Sequence, residues 1–287
     1  MKALYNALLP NIKLLFTLKL NFQSKKEKSN MKLVSFNIGI KIDNNEKITG
    51  FLKENNCDIV GLQESIRHLN DTVFKQYQSA TFIEKSLAKT HPHTFFAPLW
   101  LSDKFIKNGE IHREFGGKIE QGNHIISKFP IVSAQSLFYY ENYSLIRDIS
   151  RFYEIDHSRN VCSMTLDING KLLKVLNLHG IWNKTRLGDE RTMHQCKFAL
   201  NEALKDGLPT IIIGDFNLSP ESESIKLFDK HFRNLTRESN VKTTRSKDRE
   251  PSVVDYIFTN DKIKVNSFKV IDTDISDHLP LILDFDV

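Results

Sequence analysis

The chain has 287 residues, 40% of them hydrophobic and 26% charged, enough apolar material for one large core or two ordinary ones. Gly (12) and Pro (8) are scarce while Phe (20) is plentiful, which excludes a collagen-like, coiled-coil or wholly disordered chain. No run of eighteen apolar residues free of charge suggests a membrane span. The net charge of +5 is local: residues 1–30 hold six lysines and one acid, Glu27, so the rest carries 34 basic and 34 acidic side chains. Any polyanion-binding surface in the body must therefore come from local clustering or a bound cation. Cys57, Cys162 and Cys196 are too few and too scattered for a disulfide framework or a CxxC zinc site. A reducing, cytoplasmic location is the simpler expectation.

Along the chain, residues 1–30 form a leader in which an apolar segment, Ala7 to Phe22, is interrupted by Pro10, Lys13 and Lys19 and followed by a Lys-rich tail. It lacks a small-residue cleavage site, so it does not read as a secretory signal. Three expectations stand for it: a dispensable extension ahead of Met31, a surface helix, or a weak membrane-peripheral contact through Lys and Leu/Phe on one face. Residues 32–37 then alternate as a strand, 46–55 have helical spacing, and 57–62 form an apolar strand ending at Gln63-Glu64. Strands are expected at 123–127, 132–138, 161–168 and 172–178, a helix at 189–205, and strands at 210–213, 253–259, 263–270 and 279–285. Residues 236–251 are polar and charge-rich, the pattern of a mobile loop. His91-Pro92-His93 reads as a surface turn rather than a metal site. The sum is one strand-rich α+β domain over 31–287, with packed sheets inside and helices outside.

The chemistry lies at the strand ends. Val34-Ser35-Phe36 stops at Asn37, Ile59 to Leu62 at Gln63-Glu64, Val175 to Leu178 at His179-Gly180, and Ile211 to Gly214 at Asp215-Phe216-Asn217. Asp255-Tyr256 and Ser276-Asp277-His278 add two more polar groups beside apolar runs. A single Asp after a strand is usually a turn residue or cap. Six such placements are harder to attribute to turns, because neighbouring strand ends can converge on one sheet edge. Glu64, Asp277 and the Asn37 amide oxygen are hard donors that suit Mg²⁺ or Mn²⁺ better than zinc. The two histidines suit proton transfer or charge stabilisation. There is no GxSxG elbow, and Gly116-Gly117-Lys118 lacks the remainder of a phosphate loop.

In this order the motifs resemble the endonuclease/exonuclease/phosphatase superfamily, from Val34 to Leu281. Gly214-Asp215-Phe216-Asn217 and Ser276-Asp277-His278 are the most specific, and Gly122-Asn123-His124-Ile125-Ile126-Ser127 resembles its central strand. The resemblance implies a two-sheet β-sandwich flanked by helices, four layers in the order α/β/β/α. It also implies Mg²⁺-dependent hydrolysis of a phosphoester. Glu64 would bind the metal, with Asn37 beside it and Asp277 as a further ligand. Asp215 would orient and deprotonate water, Asn217 would hydrogen-bond the phosphorus centre, and His278, oriented by Asp255, would hold a phosphate oxygen or take the water's proton. His179 would stand where many members carry the acid for the departing oxygen.

Gly39 and His179 replace an acid and a Tyr that the resemblance leads one to expect in abasic-site enzymes, which argues against that activity. Trp182 could stack on a base or ring while Arg186 or Arg191 grips phosphate; the competing reading is that Trp182 is a loop anchor and Arg191 a solvated helix residue. Lys242, Arg245, Lys247 and Arg249 could likewise contact phosphate, though a solvated charge run is the plainer reading. The leading expectation is a phosphodiesterase acting on a nucleic acid or nucleotide-like substrate. The alternatives are a lipid- or inositol-phosphate phosphoesterase, favoured by the leader, and a catalytically silent binding module. The last is disfavoured because crowded acids without a compensating cation are costly.

Overall fold

The computed structural model describes residues 30–39, 44–150 and 157–287. The leader, with its expected membrane contact, falls outside the described residues apart from Asn30. No helix among the described residues is long and apolar enough to cross a membrane. All three cysteines are buried and free.

The described elements are β1 (Met31–Asn37), α1 (Asn45–Asn55), β2 (Ile59–His68), α2 (Ser79–Leu87), β3 (His93–Lys107) and β4 (Glu110–Ser127). They continue with β5 (Ile131–Tyr140), β6 (Arg159–Ile168), β7 (Lys171–His179), α3 (Glu190–Leu204) and β8 (Thr210–Asp215). The last are the short α4 (Glu223–Lys226), β9 (Arg233–Asn234), the short α5 (Leu235–Glu238), β10 (Asp255–Thr259), β11 (Lys264–Val270) and β12 (Leu281–Asp286). Two six-stranded mixed sheets result, ordered β11-β12-β1-β2-β4-β3 and β5-β6-β7-β8-β10-β9.

The sheets pack face to face over one apolar layer. Leu33, Ile59 and Ile125 of the first sheet meet Met164, Val175 and Ile213 of the second, all buried. The outer faces are covered by helices: Ile48, Leu52, Ile83 and Leu87 of α1 and α2 on the first sheet, and Cys196, Ala199 and Ala203 of α3 on the second. This is the α/β/β/α sandwich expected. Strands buried on both faces need near-continuous apolar runs, which is what β8 and β10 supply. Gly61 marks a close approach of the sheets, since a Cβ there would lie 2.1 Å from Ile213 Cδ1. Asp189 caps α3 by accepting from the Arg191 and Thr192 backbone amides, and the Thr192 hydroxyl faces back to the Asp189 amide as a capping box.

The structure departs from the sequence pattern in three places. Residues 69–122 hold α2, β3 and most of β4, an extended hairpin turning at Asn108-Gly109, both at positive φ. His91 is not on a surface turn: it is buried, with its Nε2 2.7 Å from the Cys57 carbonyl oxygen. Residues 236–251 are pinned rather than loose. Thr244 accepts from the Val254 and Asp255 amides and its carbonyl accepts from Leu279 N, while Ser246 N donates to the Asp277 carbonyl. A polar composition is compatible with order when the hydrogen bonds are to the fold itself.

Candidate active site

Strand register brings the site together. In the parallel β7–β8 pair His179 stands opposite Asp215, and in the antiparallel β8–β10 pair Asp215 stands opposite Asp255. Three of the expected groups therefore sit at one level on adjacent strands. In the facing sheet, parallel pairing sets Asn37 of β1 opposite Gln63 of β2. A bulge between Leu62 and Ser65 then places Glu64 at φ +58°, unusual for a non-glycine residue. The result is a direct contact between the sheets: Asn37 Nδ2 donates to Glu64 Oε1 at 3.2 Å and to Asp215 Oδ2 at 3.0 Å.

Alternation sorts each motif into a working and a packing half. Asp215 faces the site while Phe216 is fully buried against Tyr256, Phe228 and Phe258. Asp255 faces the site, whereas Tyr256 turns away and donates its hydroxyl to the Leu218 carbonyl at 2.8 Å. Gly214 is required, because at φ +144° a Cβ would fall 2.0 Å from the Leu178 carbonyl oxygen. Asn217, at φ +56°, donates its backbone N–H to Asp215 Oδ1 and its side-chain amide to the Gly180 carbonyl.

These groups border a cleft of about 430 Å³ that Glu64, His179, Asp215, Asn217, Asp277 and His278 all line. Burial raises the pKa of Glu64, although His278 and the Asn37 hydrogen bond pull the other way. Burial likewise raises Asp215, to about 6, against the attraction of His278. Burial works against a charged His278, but the carboxylates of Asp255 and Asp215 outweigh it and raise the ring to about 9. Its Nδ1 lies 2.9 Å from Asp255 Oδ2, and its Nε2 is in direct contact with Arg245 Nη1 and 3.5 Å from Asp215 Oδ2. Raised to about 9, the ring is charged at neutral pH and both its nitrogens carry protons, so Arg245 finds its acceptor in Asp277.

His179 is held neutral. Burial, then the cationic groups of Arg159, His278 and Arg245, push its pKa well below 6.5. Its Nδ1 is buried with no partner, whereas Nε2 lies 3.7–3.8 Å from Asp215 and Glu64, so the ring proton belongs on Nε2.

The remaining expected residues divide. Trp182 lines the cleft. Arg191 does not: its guanidinium pairs with Asp189 at 2.6 Å, as the solvated-helix reading has it. Asp277 lines the cleft, but its Oδ2 is held by Arg245 at 2.6 Å and Arg249 at 3.4 Å, so it acts as an anchor for arginines. The Asn37 amide oxygen accepts from Gly39 N at 3.0 Å and points its donor, not its acceptor, at the carboxylates. Arg245 departs from the plain charge-run reading: its side chain is only 13% exposed, because Asp277 and His278 draw it inward. Arg159, Arg186 and Gln121 also line the cleft. Arg159 is buried at the start of β6, with its Nε shielded and unpartnered. The one sequence signal for it was an arginine leading directly into a strand whose alternate residues, Cys162, Met164, Leu166 and Ile168, are apolar.

Two clusters offer themselves to a cation. Donor atoms of Asp215, Asp255 and His278 lie within 4.8 Å of one another. Yet His278 Nδ1 is committed to Asp255, and Asp255 Oδ2 also accepts from Thr244 Oγ1 at 2.6 Å, so this cluster is closed by its own hydrogen bonds. The fit is better beside Glu64, where the half-buried Glu64 and the buried Asp215 carboxylates share one amide and open onto the cleft. Mg²⁺ is commonly held by one or two carboxylates, with water and phosphate oxygens completing its shell.

Solved structures with this fold include an endonuclease/exonuclease/phosphatase from Beutenbergia cavernae DSM 12333 (TM-score 0.70, 17% identity, covering 90% of this chain and 72% of that one). A mannosyl-6-phosphatase from Bacteroides thetaiotaomicron VPI-5482 is similar at TM-score 0.61 and 15% identity, over 90% of this chain and 100% of its own. Truncated Caenorhabditis elegans TDP2 is similar at TM-score 0.58 and 14% identity, over 90% and 98%. No curated protein matches the sequence. The model of the Endonuclease/Exonuclease/phosphatase family matches residues 34–278, and with that span containing every strand-end motif, the chain belongs to this family and is a metal-dependent phosphoesterase.

Proposed function

We propose that the cleft hydrolyses a phosphodiester in a nucleic acid or nucleotide-like substrate with Mg²⁺ as its cation. The observation that carries this is the meeting of Glu64, Asp215, His179 and His278 across the two sheets, with contacts of 3.5–3.8 Å between imidazoles and carboxylates. Bound beside Glu64, with Asn37 steadying that carboxylate, the metal would supply Lewis-acid polarisation of the phosphoryl group and neutralise developing charge.

The chain's own groups do the rest. Asp215, with its pKa near 6, is ionised at neutral pH and basic enough to accept a proton from water. Its Oδ1 is fixed by Asn217 N and its Oδ2 by Asn37, so the carboxylate cannot rotate away. Asn217 has one amide hydrogen on Gly180 O, which leaves the second for a phosphoryl oxygen. Asp255 holds the Nδ1 proton of His278. Arg245 and Arg159 offer guanidinium groups to the substrate anion, and the unpartnered Nε of Arg159 favours an anionic occupant, since buried charge without a partner is costly. His179, neutral with N–H on Nε2, suits a hydrogen bond to the departing oxygen better than transfer of a proton from an imidazolium.

A monoester reading is favoured by one neighbour, the mannosyl-6-phosphatase, and the lipid or inositol phosphate reading by the leader alone. A panel of plasmid, single strands, RNA, sphingomyelin, inositol phosphates and a sugar phosphate, each with and without Mg²⁺, tests the assignment. Turnover of nucleic acid, abolished by chelation, is expected. Turnover confined to sugar, lipid or inositol phosphates would refute the diester reading.

A further inference from the structure

A second cavity, of about 680 Å³, lies between residues 239–251 and β11, the edge strand of the first sheet. Arg245 and Arg249 line both this cavity and the catalytic cleft, so the two adjoin. Its walls carry Lys242, Arg245, Lys247, Arg249 and Lys269 against one carboxylate, Asp272. Asp272 pairs with Lys247 at 2.8 Å, and Asp277 already holds Arg245 and Arg249 from the cleft side. Lys242 Nζ meets only the neutral Asn240 Oδ1, and Lys269 is exposed on β11. The floor is different in kind: Val241, Phe268, Val270 and Leu279 make it apolar. The basic excess is therefore local, in a body whose charges otherwise balance.

A groove with cationic walls and an apolar, partly aromatic floor matches a ligand that alternates phosphates with flat apolar faces. A duplex would offer the walls its phosphates but keep its bases stacked away from the floor, whereas an unpaired strand offers both. We propose that this groove binds the continuing strand of a single-stranded nucleic acid whose scissile phosphate occupies the cleft. This rests on the phosphodiesterase reading above and extends it from one phosphate to a run of several nucleotides. Arg245 and Arg249 mark the crossing, and Lys242 and Lys269 lie beyond it.

The test is fluorescence anisotropy of the full chain in EDTA, where binding does not depend on turnover, with labelled dT10, dT2 and a ten-base-pair duplex as probes. The expected result is dT10 binding about tenfold or more tighter than dT2, and tighter than the duplex. In Lys242→Gln/Lys269→Gln the dT10 affinity should fall about tenfold, and the slope of log Kd against log salt should drop by about 0.7 for each phosphate that a lysine no longer neutralises. Lys53→Glu, an exposed change on α1, controls for net charge. Equal affinity for dT10 and dT2, a duplex bound as tightly, an unchanged slope in the double variant, or displacement of dT10 by phosphatidylserine vesicles acting through the same lysines would each overturn the groove assignment. A protein that binds dT10 through these lysines but hydrolyses no phosphodiester would sink the activity reading and leave the groove standing.

Discussion

Replacing Asp255 by Asn changes one atom, and the hydrogen-bond network fixes what that change does. The Thr244 hydroxyl accepts from the Val254 and Asp255 amides at 3.1 and 3.2 Å, so its single hydrogen must go to Asp255 Oδ2, 2.6 Å away. In the variant this hydrogen holds the amide oxygen at that position, where it still accepts from His278 Nδ1 at 2.9 Å, and the NH₂ group takes the place of Oδ1. The geometry of the pair is kept and its negative charge is lost. The Asp255 carboxylate, with Asp215, is what holds the buried His278 ring at about 9 against desolvation, so in Asp255→Asn the ring loses its charge at lower pH. Removing one such charge from a water-excluded site typically costs about 10²-fold in turnover, or about 2.7 kcal/mol of barrier. We therefore expect kcat for an activated phosphodiester to fall by roughly 10²-fold in Asp255→Asn at neutral pH, with the fold intact by circular dichroism. Long-range ¹⁵N–¹H spectra should show the His278 titration moved down from that of wild type. If kcat stays within about fivefold of wild type, or the His278 titration does not move down, the role given to Asp255 is wrong.

Four further outcomes follow from the same geometry. Because burial raises Asp215 to about 6, its ionised fraction falls as the pH drops through that value; kcat/KM should decline with unit slope below about pH 6, and Asp215→Asn should lose both the activity and the slope. Gly61→Ala should cost about 1–3 kcal/mol in urea unfolding, since its Cβ would meet Ile213 Cδ1 at 2.1 Å. Adding Ile213→Val removes that atom and leaves the next at 3.4 Å, so the double variant should be more stable than Gly61→Ala alone. Gly214→Ala meets backbone instead, the Leu178 carbonyl, and no side-chain change should rescue its thermal stability. Asp189→Ala should cost about 1 kcal/mol of stability by removing the α3 cap while leaving substrate affinity unchanged, because neither Asp189 nor Arg191 lines the cleft.

Continuous apolar runs made much of the sandwich legible in advance. Ile211 to Ile213 or Val175 to Leu178 can only be strands buried on both faces, and their polar termini mark one edge. The β3–β4 hairpin was harder to see, because Asp103 and Lys104 interrupt its pattern and the register shifts at three places between Pro98 and Ile106. Asn108-Gly109 was nonetheless a turn signal in plain view. Local pattern carries no information about contacts between the sheets. That is why Asn37 could be placed at the site from sequence, while the direction of its amide could not. Arg245 was hidden as a cleft residue for the same reason: an arginine reads as a surface residue until Asp277 and the buried His278, in another segment, draw it inward. His179 was recognisable as a site residue, but its neutrality depends on its burial and then on three cationic neighbours scattered from Arg159 to His278.

The most direct test of the account is hydrolysis of bis(p-nitrophenyl) phosphate by wild type and Glu64→Gln, each titrated with Mg²⁺ and checked for folding. Wild-type turnover should appear with the metal and vanish with EDTA, and Glu64→Gln should fall by roughly 10²-fold or more while remaining folded. Turnover in Glu64→Gln with an unaltered Mg²⁺ dependence would contradict the claim that Glu64 holds a cation against Asp215 and His278 in one cleft.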